Sequence, residues 1–98
     1  MNTATPGHSY VYLSFAGPEG FRGACLVEAN DQIEAVLISH SKKINPGGQV
    51  LMFGPMLYDD VAEDVRKYPI DTLLSEADLK NLGPIVSGKH VSDFLTNA

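Results

Sequence analysis

The chain has one cysteine, no tryptophan and no internal repeat. A lone thiol, Cys25, cannot form an internal disulfide, so the chain is no disulfide scaffold and suits a reducing compartment. Its neighbours Ala24, Leu26 and Val27 are apolar, and in such a run a free cysteine reads as a small core hydrophobe. No clean apolar run reaches the roughly 18 residues that a membrane-spanning helix needs. Residues 1–8 lack the basic start and apolar stretch of a signal peptide, so the chain reads as soluble, unexported and cytoplasmic. Basic side chains are scarce, seven Lys and Arg against twelve Asp and Glu, for a net charge of −5. The excess is uneven. Four acids and three bases over residues 1–49 give −1, whereas eight acids and four bases over residues 50–98 give −4. An acidic chain repels phosphate backbones and anionic bilayers at long range, which argues against DNA, RNA and membranes as partners.

What remains is an ordinary globular composition: 98 residues, 44% of them hydrophobic. That length fits one domain, which buries roughly 60–65% of its unfolded surface. Residues 1–8 read as a loose, flexible tail and residues 9–98 as a single α+β domain. Tyr10 to Phe15 is rich in aromatic and β-branched residues and predicts a strand. Gly17-Pro18-Glu19-Gly20 predicts a turn, and Phe21 to Ala29 the returning strand of a hairpin. Alternation puts Val11, Leu13 and Phe15 on one face, with Phe21, Cys25 and Val27 joining them if the register allows. The opposite face carries Tyr10, Tyr12, Ser14, Arg22, Ala24, Leu26 and Glu28. Gly23 marks a bulge or a close backbone contact.

Asp31-Gln32-Ile33-Glu34 has the spacing of a capping box and opens a helix, with Ile33, Val36, Leu37 and His40 along one side. Asn45-Pro46-Gly47-Gly48 stops it in a turn, and Gln49 to Phe53 predicts a third strand. The rest reads as helical. One helix opens at Asp60-Val61-Ala62-Glu63 and ends at Pro69; a short one starts at Ser75-Glu76-Ala77-Asp78 and closes at Leu82-Gly83-Pro84. A last turn or two follows over residues 90–95. The expected architecture is a small sheet of about three strands in the order β-β-α-β with two or three C-terminal helices. Such a sheet leaves the Tyr10, Tyr12 and Leu26 face to be covered by those helices, by a second subunit, or by a ligand.

No set of residues commits the chain to catalysis. Gly83 to His90 has the glycine and lysine spacing of a phosphate loop, but His90 stands where a Ser or Thr must hold magnesium. Gly17 to Gly20 has the Gly-x-x-Gly spacing of some RNA-binding loops, yet it joins strands and carries Glu19. Asp59, Asp60, Glu63 and Asp64 crowd one stretch, as acids do in a first helical turn, and as a metal site would require. His8, His40 and His90 form no ligand pair, so neither metal nor cofactor is expected. Ser39-His40-Ser41 lies on a helix, where adjacent residues diverge and cannot form a nucleophile and its base; His40 reads as half-buried at the helix end. A small enzyme whose site assembles across a subunit interface remains the third reading.

Two features read as binding surfaces. Tyr10, Tyr12 and Arg22 combine rings that stack on bases with a guanidinium that grips phosphate; their structural alternative is a core edge or a subunit interface. The turn at Asn45, Gly47 and Gly48, with Lys42, Lys43 and Gln49 beside it, offers backbone N–H groups that could cradle an anion; its alternative is a plain helix-to-strand connection. Tyr12-Leu13-Ser14-Phe15, Gly23-Ala24-Cys25-Leu26-Val27-Glu28-Ala29 and Asn45-Pro46-Gly47-Gly48-Gln49-Val50 together resemble a family of small bacterial and phage proteins to which no activity is attached. The resemblance covers residues 10–50. It implies a small cytoplasmic protein borne by a phage or mobile element, acting in the host cytoplasm. From that setting comes the expected function: a non-enzymatic, homo-oligomeric counter-defence protein that sequesters an anionic, nucleotide-derived immune signal. The alternative is an acidic inhibitor or adaptor that binds a host protein through the Asp59 to Asp64 region.

Overall fold

Strand β1 (Ser9–Gly17) runs between two partners. It pairs antiparallel with β2 (Gly20–Glu28) on one side and with β3 (Gln49–Leu57) on the other, giving the sheet order β2-β1-β3. β2 and β3 are therefore parallel to each other, and helix α1 (Gln32–Ser41) crosses between them. A 3-10 turn (Tyr58–Asp60) and two short helices, α2 (Glu63–Arg66) and α3 (Glu76–Asn81), complete the expected α+β fold. The computed structural model describes residues 2–81; the phosphate-loop-like stretch 83–90, the helix stop 82–84 and the helical turn 90–95 lie outside them.

All six residues from Tyr10 to Phe15 are buried, so β1 is covered on both faces. On one face Val11, Leu13 and Phe15 meet Cys25, Val27 and Ala35 of α1, with Val36, Ile38, Val50 and Met52 packed around them. On the other, Tyr10, Tyr12, Ala24 and Leu26 meet Val61, Val65, Tyr68, Leu74 and Leu79. The polypeptide after β3 thus closes the tyrosine face. Each large side chain buried this way contributes about 1.5–3 kcal/mol. Residues 2–8, expected as a loose tail, are tied to the same layer. Ala4 is buried there, Ile70 N donates to Asn2 O at 2.9 Å, and Thr5 N donates to the Tyr10 hydroxyl at 2.8 Å.

Two bulges adjust this pattern. Opposite Phe15 and Ala16, β2 carries one extra residue, Arg22, so that Phe15 faces Gly23 and Ala16 faces Phe21. The slip turns Phe21 to the tyrosine face, not to the Val11 face expected from simple alternation. Gly23 is needed here: its φ is +131°, and a Cβ would press on Leu73 at 2.8 Å. In β3, Gly54 and Pro55, joined by a cis peptide, together face Val11, and the strand continues four residues past its expected end at Phe53.

Helix α1 starts as its sequence requires. The Asp31 carboxylate accepts from Glu34 N at 2.7 Å, and the Glu34 carboxylate accepts from Asn30 N at 2.7 Å. Its orientation differs from expectation. Ala35 and Ser39 face the sheet, while Ile33 and Leu37 are 76% and 64% exposed and His40 is exposed rather than half-buried. Small residues four apart let the helix backbone approach the sheet, and Ser39 is satisfied because its hydroxyl donates to Val36 O at 2.6 Å. The expected helix from Asp60 to Pro69 is a single turn, α2, without a side-chain cap; Asp60 belongs to the 3-10 turn instead. α3 is capped reciprocally: Ser75 N donates to Asp78 at 2.9 Å and Asp78 N to the Ser75 hydroxyl at 3.1 Å. Between these helices the chain bridges the outer edge of β2, with Leu74 N donating to Ala24 O at 2.7 Å and Asp71 N to Leu26 O at 2.9 Å.

Leu13→Ala is expected to cost about 2–5 kcal/mol in chemical denaturation, because it empties a site with cover on every side. Leu37→Ala, on the outward face of α1, is expected to change stability by less than about 0.5 kcal/mol. Equal effects would mean that α1 is turned the other way.

Candidate functional site

The bulge at Arg22 decides how the expected binding residues are distributed. With Phe21 turned to the tyrosine face, Arg22 lies against the connection from α1 to β3. Its Nη1 donates to Pro46 O at 3.4 Å, and its Nε and Nη2 donate to the Glu19 carboxylate, the latter at 3.3 Å. Hydrogen bonding from Arg22 holds the Glu19 carboxyl below its ordinary range. A Cβ on Gly17 would strike the guanidinium, and one on Gly48 would sit on the Ala16 carbonyl oxygen. Arg22 is therefore a clamp laid across the hairpin turn and the entry to β3.

The Asn45 turn is likewise occupied by its own side chains. Asn45 Oδ1 accepts from Gly47 N at 2.8 Å, so that N–H is not free to cradle an anion. Asn45 Nδ2 donates to the Ser39 hydroxyl at 3.0 Å, which ties the turn to the buried side of α1. Lys42 reaches away from the turn and pairs with Asp71 at 2.9 Å. Gly48 and Gln49 line a shallow groove of about 420 Å³ with Ala16, Gly17 and Pro18, none of them charged. The structure thus brings together Arg22, Gly47 and Gly48, with Gln49 beside them. Tyr10 and Tyr12 are elsewhere, buried beneath residues 58–79 and the N-terminal residues; Tyr10 only borders a depression of about 390 Å³ formed with Asn2, Thr3, Thr5, Glu28 and Ile70.

A second depression of about 510 Å³ lies between Thr3, Ala4, Tyr58, Glu63, Arg66 and Lys67. Arg66 is engaged there as well, 4.4 Å above the Tyr58 ring and donating to Tyr58 O at 3.1 Å and Asp59 O at 3.0 Å. Among the described residues no three His, Cys, Asp or Glu side chains are placed to share a metal ion, the acidic stretch Asp59, Asp60, Glu63 and Asp64 included. Cys25 is a poor nucleophile: burial, with Asp71 adding to it, pushes its thiol up to about 12. Burial and the nearby Asp64 push the Tyr68 phenol to about 12, and burial first, then Tyr68 and Cys25, lifts Tyr12 above its usual range.

Three surface features were not read from the sequence. Ile33 and Leu37 project from α1, and Leu51 and Leu57, 46% and 61% exposed, project from β3. The Glu19-x-x-Arg22 pair spans the hairpin turn, a spacing that hinted at self-neutralisation of the arginine. The chain matches no protein-family model, no curated protein and no solved structure. Among the described residues no helix is long and apolar enough to cross a membrane.

Gly48→Ala is expected to destabilise the protein by about 1–3 kcal/mol, since a side chain there meets both a φ of +89° and the Ala16 carbonyl. A urea midpoint unchanged by this substitution would refute the close approach. The raised thiol and phenol also set an alkaline limit. Their neutral forms are favoured in the fold, so the stability they contribute is complete below pH 9.0, where the free thiol ionises, and is lost as pH rises toward about 12. Urea midpoints should hold steady up to pH 9.0 and fall above it, and Cys25→Ala should move the onset up toward the ordinary tyrosine value of 10.0.

Proposed function

We propose that this chain is a small, non-enzymatic binding protein of the cytoplasm whose ligand is another protein, taken against the outward face of α1. The observation that carries this reading is the rotation of α1. The helix spends its small residues, Ala35 and Ser39, on its own core and displays Ile33 and Leu37 one turn apart to solvent. Two aliphatic anchors at that spacing are what an amphipathic helix inserts into a partner's apolar groove. With a net charge of −5 on the chain, the fitting partner is an apolar groove rimmed by basic side chains, approached with electrostatic steering that salt weakens.

Sequestration of a nucleotide-like anion draws less support. It asks for a stacking ring and a free cation. The rings of Tyr10 and Tyr12 are core, and the guanidinium of Arg22 is matched by Glu19. What speaks for it is the uncharged groove at Gly48 and Gln49 and the exposed Lys43 two residues before Asn45.

A photo-crosslinker at Leu37 in the bacterial host is expected to join the chain to one discrete protein. Ile33→Asp, which leaves the circular dichroism spectrum unchanged, should weaken binding to that protein, once purified, by roughly tenfold to a hundredfold. The reading is overturned if position 37 captures nothing while the native protein retains a nucleotide-sized mass that leaves on denaturation.

A further inference from the structure

The two edges of the sheet are treated differently. The β2 edge is covered by the chain's own residues 71–74, through backbone hydrogen bonds to Ala24 and Leu26. Among the described residues, no strand pairs with the outer edge of β3; Gln32 Nε2 donates to Gly54 O at 2.8 Å, beyond its regular stretch. An open edge is ordinarily blunted by charged side chains, especially lysine. β3, Gln49-Val50-Leu51-Met52-Phe53-Gly54-Pro55-Met56-Leu57, contains no charge at all. The Gly54-Pro55 bulge interrupts its second half, so the regular stretch runs over residues 49–53 with Leu51 at its centre, 46% exposed.

We infer that this edge is where a second copy of the chain docks, by antiparallel pairing of β3 with β3 about a two-fold axis at Leu51. Residues 49–53 are self-complementary in that arrangement. Leu51 faces its own counterpart, Val50 faces Met52, and Gln49 faces Phe53, so every cross-strand pair is uncharged. Charge singles out a copy here. Each protomer carries −5, and a face-to-face approach over most of the surface would bring carboxylates together. The strand itself brings no carboxylate to the pairing, and the acids that follow it, Asp59 and Asp60, lie eight or more residues from the axis at opposite ends of the pair. The product is a continuous six-stranded sheet, three strands from each protomer. The short paired stretch makes a weak dimer, below the area of a standard permanent interface.

Sedimentation equilibrium of the full chain, from low micromolar to near-millimolar concentration, tests this. The wild type is expected to pass from monomer to dimer. Leu51→Lys, which sets like charges across the axis, should raise the dissociation constant by about tenfold or more without changing the far-ultraviolet spectrum. Mixing Leu51→Lys with Leu51→Glu should restore a dimer made of one of each, while Ile33→Lys on α1 should leave dimerisation unchanged. A wild type that stays monomeric throughout overturns the inference, as does a dimer that Leu51→Lys leaves intact or that Ile33→Lys abolishes.

Discussion

The structure depends on the burial of β1 on both faces. Six consecutive residues, Tyr10 to Phe15, are removed from water, and a three-stranded sheet cannot do that alone. Val11, Leu13 and Phe15 require cover on one side, and α1 supplies it by laying Ala35 and Ser39 close to the strands. Tyr10 and Tyr12 require cover on the other, and residues 58–79 supply it through Val61, Val65, Tyr68, Leu74 and Leu79. The N-terminal residues join that second layer, where Ala4 is buried and the Tyr10 hydroxyl accepts from Thr5 N. Regular structure over residues 58–75 of this layer is sparse, a 3-10 turn and the single turn α2, and the layer presents five apolar side chains to the tyrosine face.

One extra residue in β2 then separates what alternation would have joined. The bulge turns Phe21 inward toward the tyrosines and leaves Arg22 at the α1–β3 connection, paired with Glu19 and bound to Pro46. A surface with two rings and a guanidinium becomes a buried aromatic layer and a structural clamp, Tyr12 and Tyr68 lying with ring centres 6.5 Å apart. Two of the three basic groups of the first half are engaged in the same way, Lys42 by Asp71 and Arg22 by Glu19, while Lys43 is exposed. What the molecule offers its surroundings is apolar instead: Ile33 and Leu37 on α1, Leu51 and Leu57 on β3.

The order of elements was legible because it rests on local chemistry: the Gly17 to Gly20 turn, the Asp31 cap with Glu34 and the Ser75 cap with Asp78 each act within a few residues, whereas α1 stops earlier than the expected Asn45 to Gly48 turn, at Ser41, with Lys43 left-handed at φ +59°. The faces were less legible. Alternation carries across a strand only until a bulge, and nothing short of pairing Ala16 with Phe21 reveals that the count has slipped. The face of α1 was misjudged because hydrophobic periodicity weighs Ile33 and Leu37 above Ala35 and Ser39, whereas the sheet selected the residues that let the helix come close. The cover over Tyr10 and Tyr12 comes from residues some fifty positions away, a long-range choice with no local signature. Hence the candidate site dispersed: Arg22, Gly47 and Gly48 meet, with Gln49 at their side, while Tyr10, Tyr12 and Lys42 do not.

The most direct test is the accessibility of the tyrosine rings in the native protein. Brief nitration at neutral pH, read residue by residue by mass spectrometry, should modify only Tyr58, which is partly exposed. Tyr10, Tyr12 and Tyr68 should react only once the protein is unfolded. Nitration of Tyr10 or Tyr12 in the folded chain would contradict the two-sided burial of β1 and return that face to the surface as a place for a ligand.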